Sequence, residues 1–261
     1  MNSRDIPVRS IQVSQMKVQV YADREAMGAA AGKAAAQHIR SLLAKQPGVR
    51  MVFAAAPSQN EFLDHLAGEE GIDWSRITVF HMDEYIGLRE DAPQAFSRYL
   101  QERIWHKVNP GLVHLINPSS GIDEECSRYA ALLTAAPLDI VCMGIGENGH
   151  LAFNDPPVAD FNDPAVVKPV ELDDACRTQQ VNDGCFATFE DVPTHALTLT
   201  IPALMGAFAL FCIVPGVRKR EALQHAIDLK RPLATDCPAT ILRTHSGCTV
   251  FTDQAAFGSS L

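Results

Sequence analysis

Short apolar runs alternate along this chain with stretches of helical periodicity, and that alternation is what most restricts how it can fold. Lys17-Val-Gln-Val-Tyr21, the fully apolar Met51-Val-Phe-Ala-Ala-Ala56, residues 77–82, 112–116 and 138–143, Ala196-Leu-Thr-Leu-Thr200, Phe208-Ala-Leu-Phe-Cys-Ile-Val214 and Cys248-Thr-Val-Phe251 read as strands. Helical patterns lie between them: an Ala-rich one that Asp23 can cap and that extends to about Lys45, then 61–66, 94–106, 122–135 and 217–229. Strands separated by helices call for crossover connections. The expected class is therefore α/β, with a mostly parallel sheet covered by helices on both faces.

At 261 residues, 47% of them hydrophobic, the chain can build a substantial core, and a single domain over 1–261 is expected, with 1–16 as an arm or edge element. Residues 154–193 are too long for an ordinary connection and read as helical turns or a mobile lid. Pro156-Pro157, Asp163-Pro164 and Asp183-Gly184 punctuate them as turns. A formal net charge of -9 without clustered Lys and Arg argues against a nucleic-acid-binding surface, so an anionic ligand needs a local basic pocket. The N-terminus has no apolar signal core and no run approaches the length of about 18–20 apolar residues that a membrane helix needs; a cytoplasmic protein without a membrane partner is expected. The seven cysteines show no Cys-x-x-Cys spacing and read as buried reduced thiols.

Chemistry concentrates where two of the apolar runs end. After Asp139-Ile-Val-Cys-Met143 comes Gly144-Ile-Gly-Glu-Asn-Gly-His-Leu-Ala-Phe-Asn-Asp-Pro156, a glycine-rich turn whose backbone can approach a ligand closely. Such turns stand at the carboxyl ends of parallel strands, where ligands of open α/β sheets bind. Ile77-Thr-Val-Phe-His-Met-Asp-Glu-Tyr85 places His81, Asp83 and Glu84 after the other run. Asp83 in an apolar cleft suits a general base, its carboxyl raised by desolvation, and it equally suits a turn cap. His150 can exchange a proton near neutral pH or hold a backbone group, and Asp155 can orient the imidazole or form the turn before Pro156. No His-x-x-x-His or His-plus-carboxylate spacing on one element is present, so no metal is assigned and no cofactor is expected.

Together the two stretches resemble the glucosamine-6-phosphate deaminase/isomerase family. Its members carry a strand ending Phe-x-Met-Asp-Glu-Tyr and, later, Gly-x-Gly-x-x-Gly-His-x-Ala-Phe-Asn; the likeness runs from about Lys17 to Val250 and includes Val192-Pro-Thr-His-Ala-Leu-Thr198. It implies a Rossmann-like domain, a small-molecule sugar phosphate as ligand and a homo-oligomer. The chemistry implied is deamination and isomerisation of an amino-sugar phosphate, with a 6-phosphogluconolactonase-like hydrolase, another sugar-phosphate isomerase or a non-catalytic sensor as alternatives. Asp83, Asn148, His150 and Asp155 are then the catalytic positions, and Ser58, Glu84, Gly146, Arg177 and Lys219 the ligand-binding ones.

This chain departs from the family in places. Asn148 stands where the family has Asp, and an amide cannot take a proton or lend a charge, so the network is weakened or retuned. Asp155 stands for the usual Glu. Ala55-Ala-Pro-Ser-Gln59 replaces a Thr-Gly-Gly-Thr-Pro phosphate turn, with Ser58 keeping a hydroxyl. The family's arginine is missing around Gly184-Cys-Phe186, and Arg177 is the candidate to compensate.

Overall fold

The computed structural model describes residues 6–89 and 91–258. In chain order the strands are β1 (Arg9–Val13), β2 (Met16–Tyr21), β3 (Val49–Phe53), β4 (Ile77–His81), β5 (Asp83–Tyr85), β6 (Leu112–His114), β7 (Ile140–Met143), β8 (Val167–Glu171), β9 (His195–Leu199), β10 (Ala209–Val214) and β11 (Cys248–Asp253). The helices are α1 (Arg24–Leu43), α2 (Asn60–Gly68), α3 (Phe96–Leu100), α4 (His106–Val108), α5 (Ile122–Thr134), α6 (Asp174–Asn182), α7 (Ile201–Met205), α8 (Arg220–Ile227) and α9 (Gln254–Phe257). Eight strands form one sheet in the order β1-β2-β11-β10-β7-β3-β4-β6, and β5, β9 and β8 form a second. Within the large sheet every pairing is parallel except that of β1, at the edge, with β2.

Alternation along the central strands sends side chains to two cores. Met51 and Phe53 of β3 and Ile140 and Cys142 of β7 face one core with Met27, Ile39, Phe62 and Leu63 of α1 and α2. Val52, Val141 and Met143 face the other, with Tyr129, Leu133 and Leu223 of α5 and α8. A sheet buried on both faces needs strands that are apolar throughout, which is why these runs were legible. Asp23 caps α1, its Oδ1 accepting the Ala26 N–H at 2.8 Å. None of the helices among the described residues is long and apolar enough to cross a membrane.

Two features position the site. Strand order reverses between β3 and β7: successive crossovers proceed from β3 to β4 and from β7 to β10, in opposite directions, so the loops leaving their carboxyl ends part and leave a crevice. The second feature is at Met82. Its N–H still donates to Phe53 O, in the large sheet, at 3.3 Å, whereas its carbonyl accepts from Leu199 of β9 at 2.8 Å. The chain therefore leaves one sheet and enters the other at this residue, and the expected strand 77–82 stops short of Asp83, which begins β5.

The stretch 154–193, expected to hold helical turns or a lid, contains a strand as well as a helix. In β8 the sequence Val-Lys-Pro-Val-Glu carries Pro169, which lacks an N–H and fits because β8 is an edge of the small sheet. Helix 94–106 is interrupted: α3 passes through a π turn at Gln101–Trp105 into α4.

Candidate active site

The loops after β3, β7 and β10 converge at the crevice and, with β5 and α6, enclose a cleft of about 480 Å³ counted to its open mouth. Ser58, Asp83, Gly146, His150 and Lys219 all line it. These residues come from four separate loops or strands, so only the folded chain brings them together.

The glycine turn closes on itself before it reaches the cleft. Gly146 N–H donates to His150 O at 2.9 Å and Gly149 N–H to Gly146 O at 3.1 Å. A Cβ on Gly146 would lie 2.2–2.3 Å from His150 ring atoms, and Gly149 has φ +88, so the first glycine makes room for the imidazole and the second allows the bend. His150 Nδ1 stands 2.8 Å from Asn148 Oδ1 and 2.9 Å from Asp155 Oδ1. Two acceptors at Nδ1 require the proton there, which leaves the Nε2 lone pair as the ring's proton-exchanging atom. Asn148 turns its amide nitrogen toward Asp155 Oδ1 at 2.9 Å and Asp173 Oδ2 at 3.4 Å. An aspartate at 148 would set a third carboxylate against those two. The amide accepts from the imidazole and donates to Asp155, which a carboxylate could not do. Asp155 is fully buried, and although burial favours its neutral form, His150 beside it and hydrogen bonds from His150 and Asn148 hold its carboxyl below the ordinary range.

Asp83 is 7% exposed and has no side-chain hydrogen bond or ion pair among the described residues. Burial, reinforced by Glu84 next to it, raises its carboxyl well above the usual carboxylate range. Such a group takes a proton readily once ionised. Glu84, expected to bind ligand, points elsewhere: its oxygens accept the backbone N–H groups of Phe96 at 3.0 Å, Ser97 at 2.9 Å and Tyr85 at 3.1 Å, so it caps α3. Neighbours along a strand face opposite sides, and Asp83 has the cleft side. His81 accepts the Ile116 N–H at 2.7 Å, and burial pushes its pKa down to about 3, so it is a neutral packing residue.

Lys219 is 6% exposed and lines the cleft, and its ammonium makes no hydrogen bond or ion pair among the described residues, while its backbone N–H donates to Gly216 O at 3.0 Å. The acids nearest it are engaged by Arg218, at 2.5 Å from Asp183 and 3.4 Å from Glu147. A desolvated ammonium without a partner among the described residues can receive an anion that enters the cleft. Burial, followed by Arg218, lowers its pKa against the pull of Asp183 and Glu147.

Arg177 does not compensate for the missing arginine. It donates to the carbonyls of Phe189 and Val192 at 2.9 and 3.0 Å, stacks on the Phe189 ring at 3.9 Å and does not line the cleft. Amides stand at the cleft instead. Gln179 and Gln180 of α6 and Gln59 after β3 line it, and each is buried. Gln179 Oε1 accepts the Glu147 N–H at 2.8 Å and so ties α6 to the glycine turn. The sequence signal for these residues was Cys176, Gln179 and Gln180 at i, i+3, i+4, an inward stripe without the usual aliphatic residues.

All seven cysteines are free thiols, five of them buried. One of them, Cys176, brings Sγ within 4.8 Å of His150 and Asp155 ligand atoms. Tetrahedral zinc ligands at about 2.0–2.3 Å from the ion stand about 3.3–3.7 Å apart, whereas the His150–Asp155 contact is 2.9 Å. The cluster is a hydrogen-bonded network with no gap for an ion between imidazole and carboxylate.

Comparison with known proteins matches this geometry to relatives. A family model described as glucosamine-6-phosphate isomerases/6-phosphogluconolactonase covers residues 22–251. A glucosamine-6-phosphate deaminase of Bacillus cereus (strain G9842) is 37% identical over 186 residues, 71% of this chain and 68% of that one, and one of Bacillus thuringiensis (strain Al Hakam) matches to the same extent. The solved structure of a monomeric glucosamine-6-phosphate deaminase superposes with a TM-score of 0.82 at 26% identity, over 92% of this chain and 98% of that one. A 6-phosphogluconolactonase from Thermotoga maritima shares the fold, with a TM-score of 0.73 at 20% identity over 91% and 99% of the two chains.

Proposed function

Because this chain belongs to the glucosamine-6-phosphate isomerase/6-phosphogluconolactonase family, we propose that it is an enzyme that deaminates and isomerises an amino-sugar phosphate, in the simplest case glucosamine 6-phosphate plus water to fructose 6-phosphate and ammonia. The observation that carries this reading is Asp83, a buried carboxyl with no side-chain partner among the described residues, lining the same cleft as His150 and Lys219. A lactone hydrolase has no carbon-bound proton to move, so a buried carboxyl placed at the cleft to take one favours the deaminase reading.

In this reading Lys219 holds the phosphate and Ser58 faces the ligand beside it. His150, its Nδ1 fixed by Asn148 and Asp155, moves the proton that opens the sugar ring. Asp83 takes the C2 proton of the open chain to give an enolamine and returns a proton to C1, leaving an imine at C2. Water then adds at C2 and ammonia departs. No cofactor enters these steps. Proton transfers of this kind contribute about 10²- to 10⁴-fold each.

The test measures ammonia release and solvent-deuterium exchange at C2 with phosphorylated and unphosphorylated hexosamines, for the wild type, Asp83→Asn and Lys219→Ala. Asp83→Asn is expected to lose both exchange and ammonia release while ligand binding stays within about tenfold. Lys219→Ala is expected to weaken binding of the phosphorylated sugar alone, by about 10- to 100-fold. Ordinary exchange by Asp83→Asn would remove Asp83 from the base role. A wild type that hydrolyses lactones and releases no ammonia from any hexosamine phosphate would replace the reading with the hydrolase.

A further inference from the structure

The network behind His150 leaves one polar atom unanswered. Asp155 Oδ1 faces both His150 Nδ1 and Asn148 Nδ2, each at 2.9 Å, but Oδ2 is buried with no hydrogen-bond partner among the described residues. A buried carboxylate oxygen without a donor costs about 1–3 kcal/mol, and more when charged, so one expects a donor within reach. Near this carboxyl stands the thiol of Cys176, 1% exposed, whose Sγ lies within 4.8 Å of a carboxylate oxygen of Asp155 and a ring nitrogen of His150.

Resting on the reading of His150 and Asp155 as the ring-opening pair, we propose that Cys176 is a positioning residue whose S–H turns to Asp155 Oδ2 and holds that carboxylate ionised and aimed at the imidazole. The backbone fixes the thiol there: Asp173 caps α6, its Oδ1 accepting the Cys176 N–H at 2.6 Å, and Cys176 is on the inward stripe of that helix. Burial, then Asp155, Asp173 and Asp83, keep the thiol well above the ordinary cysteine range, so it stays in the S–H form that can donate. The groups facing Asp155 are thus His150 and Asn148 from the glycine turn and Cys176 from α6, with Asp173 and Asp83 acting on the thiol. A thiol is a weak donor and adds no charge. It can steady a carboxylate next to an imidazole without competing with the ring, as an Arg or Lys would.

The sign of the effect follows from which form the bond favours. A donor to the carboxylate stabilises the ionised state, so its removal moves carboxylate protonation to higher pH. In Cys176→Ala the Asp155 carboxylate is expected to protonate at higher pH, with kcat about three- to tenfold lower and KM within about twofold, while the acid limb of turnover, which follows ionisation of Asp83, keeps its position. Cys176→Ser keeps a donor and is expected to recover the wild-type Asp155 titration. Carbon-13 NMR of Asp-labelled protein, with Asp155→Asn to assign the signal, reads that titration without any substrate, and circular dichroism confirms that each variant is folded. An unchanged Asp155 titration in Cys176→Ala, or Cys176→Ser behaving as Cys176→Ala does, would overturn the proposal. Full turnover in His150→Ala would instead overturn the ring-opening reading, while the NMR titration would still decide the role of Cys176.

Discussion

Asp83 is held where its charge is costly, and that has a consequence for stability as well as chemistry. Its carboxyl is raised in the folded chain by burial and by Glu84, so between the unfolded carboxylate pKa of about 3.9 and the raised folded value the native state binds the extra proton. Stability must therefore fall as pH rises through that window and stay low above it. Asp83→Asn removes the ionisation and with it the loss. The variant is expected to melt above the wild type at pH 8 and close to it at pH 4, with about 2–4 °C for each kcal/mol recovered in a chain of this size. Melting curves at the two pH values check this; a variant equally or less stable at pH 8 would contradict it. At this scale the sequence reading was uneven. Asp83, Ser58, Gly146, His150 and Lys219 reach the cleft, and Asn148 and Asp155 stand behind His150. Glu84 and Arg177 do not reach it, because a sequence shows residue type and spacing but not which side chain is already engaged by a helix end or by carbonyls. The amides of Gln59, Gln179 and Gln180 were passed over because glutamine in a helix carries no chemical signature of its own.

The pairing of α1 with α2 joins a structural contact to the cleft. A Cβ on Gly28 would meet Glu61 Cβ at 2.4 Å and its backbone carbon at 2.9 Å, and one on Gly32 would meet His65 Cβ at 2.8 Å and Leu66 N at 2.9 Å. Arg24, on α1, pairs with Glu61 at 2.7 Å and bonds to Pro57 O, in the turn that carries Ser58. Gly28→Ala improves helix propensity by at most about 1 kcal/mol, whereas overpacking a close contact costs about 1–3 kcal/mol, and backbone on the far side cannot swing away. The expected outcome is a net destabilisation of about 1–2 kcal/mol with weaker ligand binding, because α2 starts at the lining residues. Urea midpoints and KM for the variant would show it; gain in stability with unchanged KM would mean that the helices part freely. Elements legible in the sequence were those with a local cause, such as α1 with its Asp23 cap. The start of α3 was not, since its cap is Glu84, from another strand. Nor was β8, since Pro169 is a strand breaker everywhere except at an edge.

For the whole molecule, the alternation of apolar runs and helices was enough to read the class and the location of the site, since both follow from packing two helical layers on a parallel sheet. It was not enough to show that the strands belong to two sheets. Asp83-Glu-Tyr85 continues an apolar run without punctuation, and the reason that it departs is a tertiary one: Met82 finds its partner in β9. His150 hangs from the eight-stranded sheet, while Asp83 is fastened to a sheet of three strands, one of them an edge interrupted by proline. Small sheets with few neighbours open at lower free energy than the body they rest on. On heating, turnover should vanish several degrees before helical circular dichroism is lost, and return when a sample held between the two temperatures is cooled. Coincident transitions would show the sheets to be one cooperative unit. Between those temperatures the chain would be a native-like body with Asp83 and His150 out of alignment, and heat would then act as a reversible off-switch for catalysis alone.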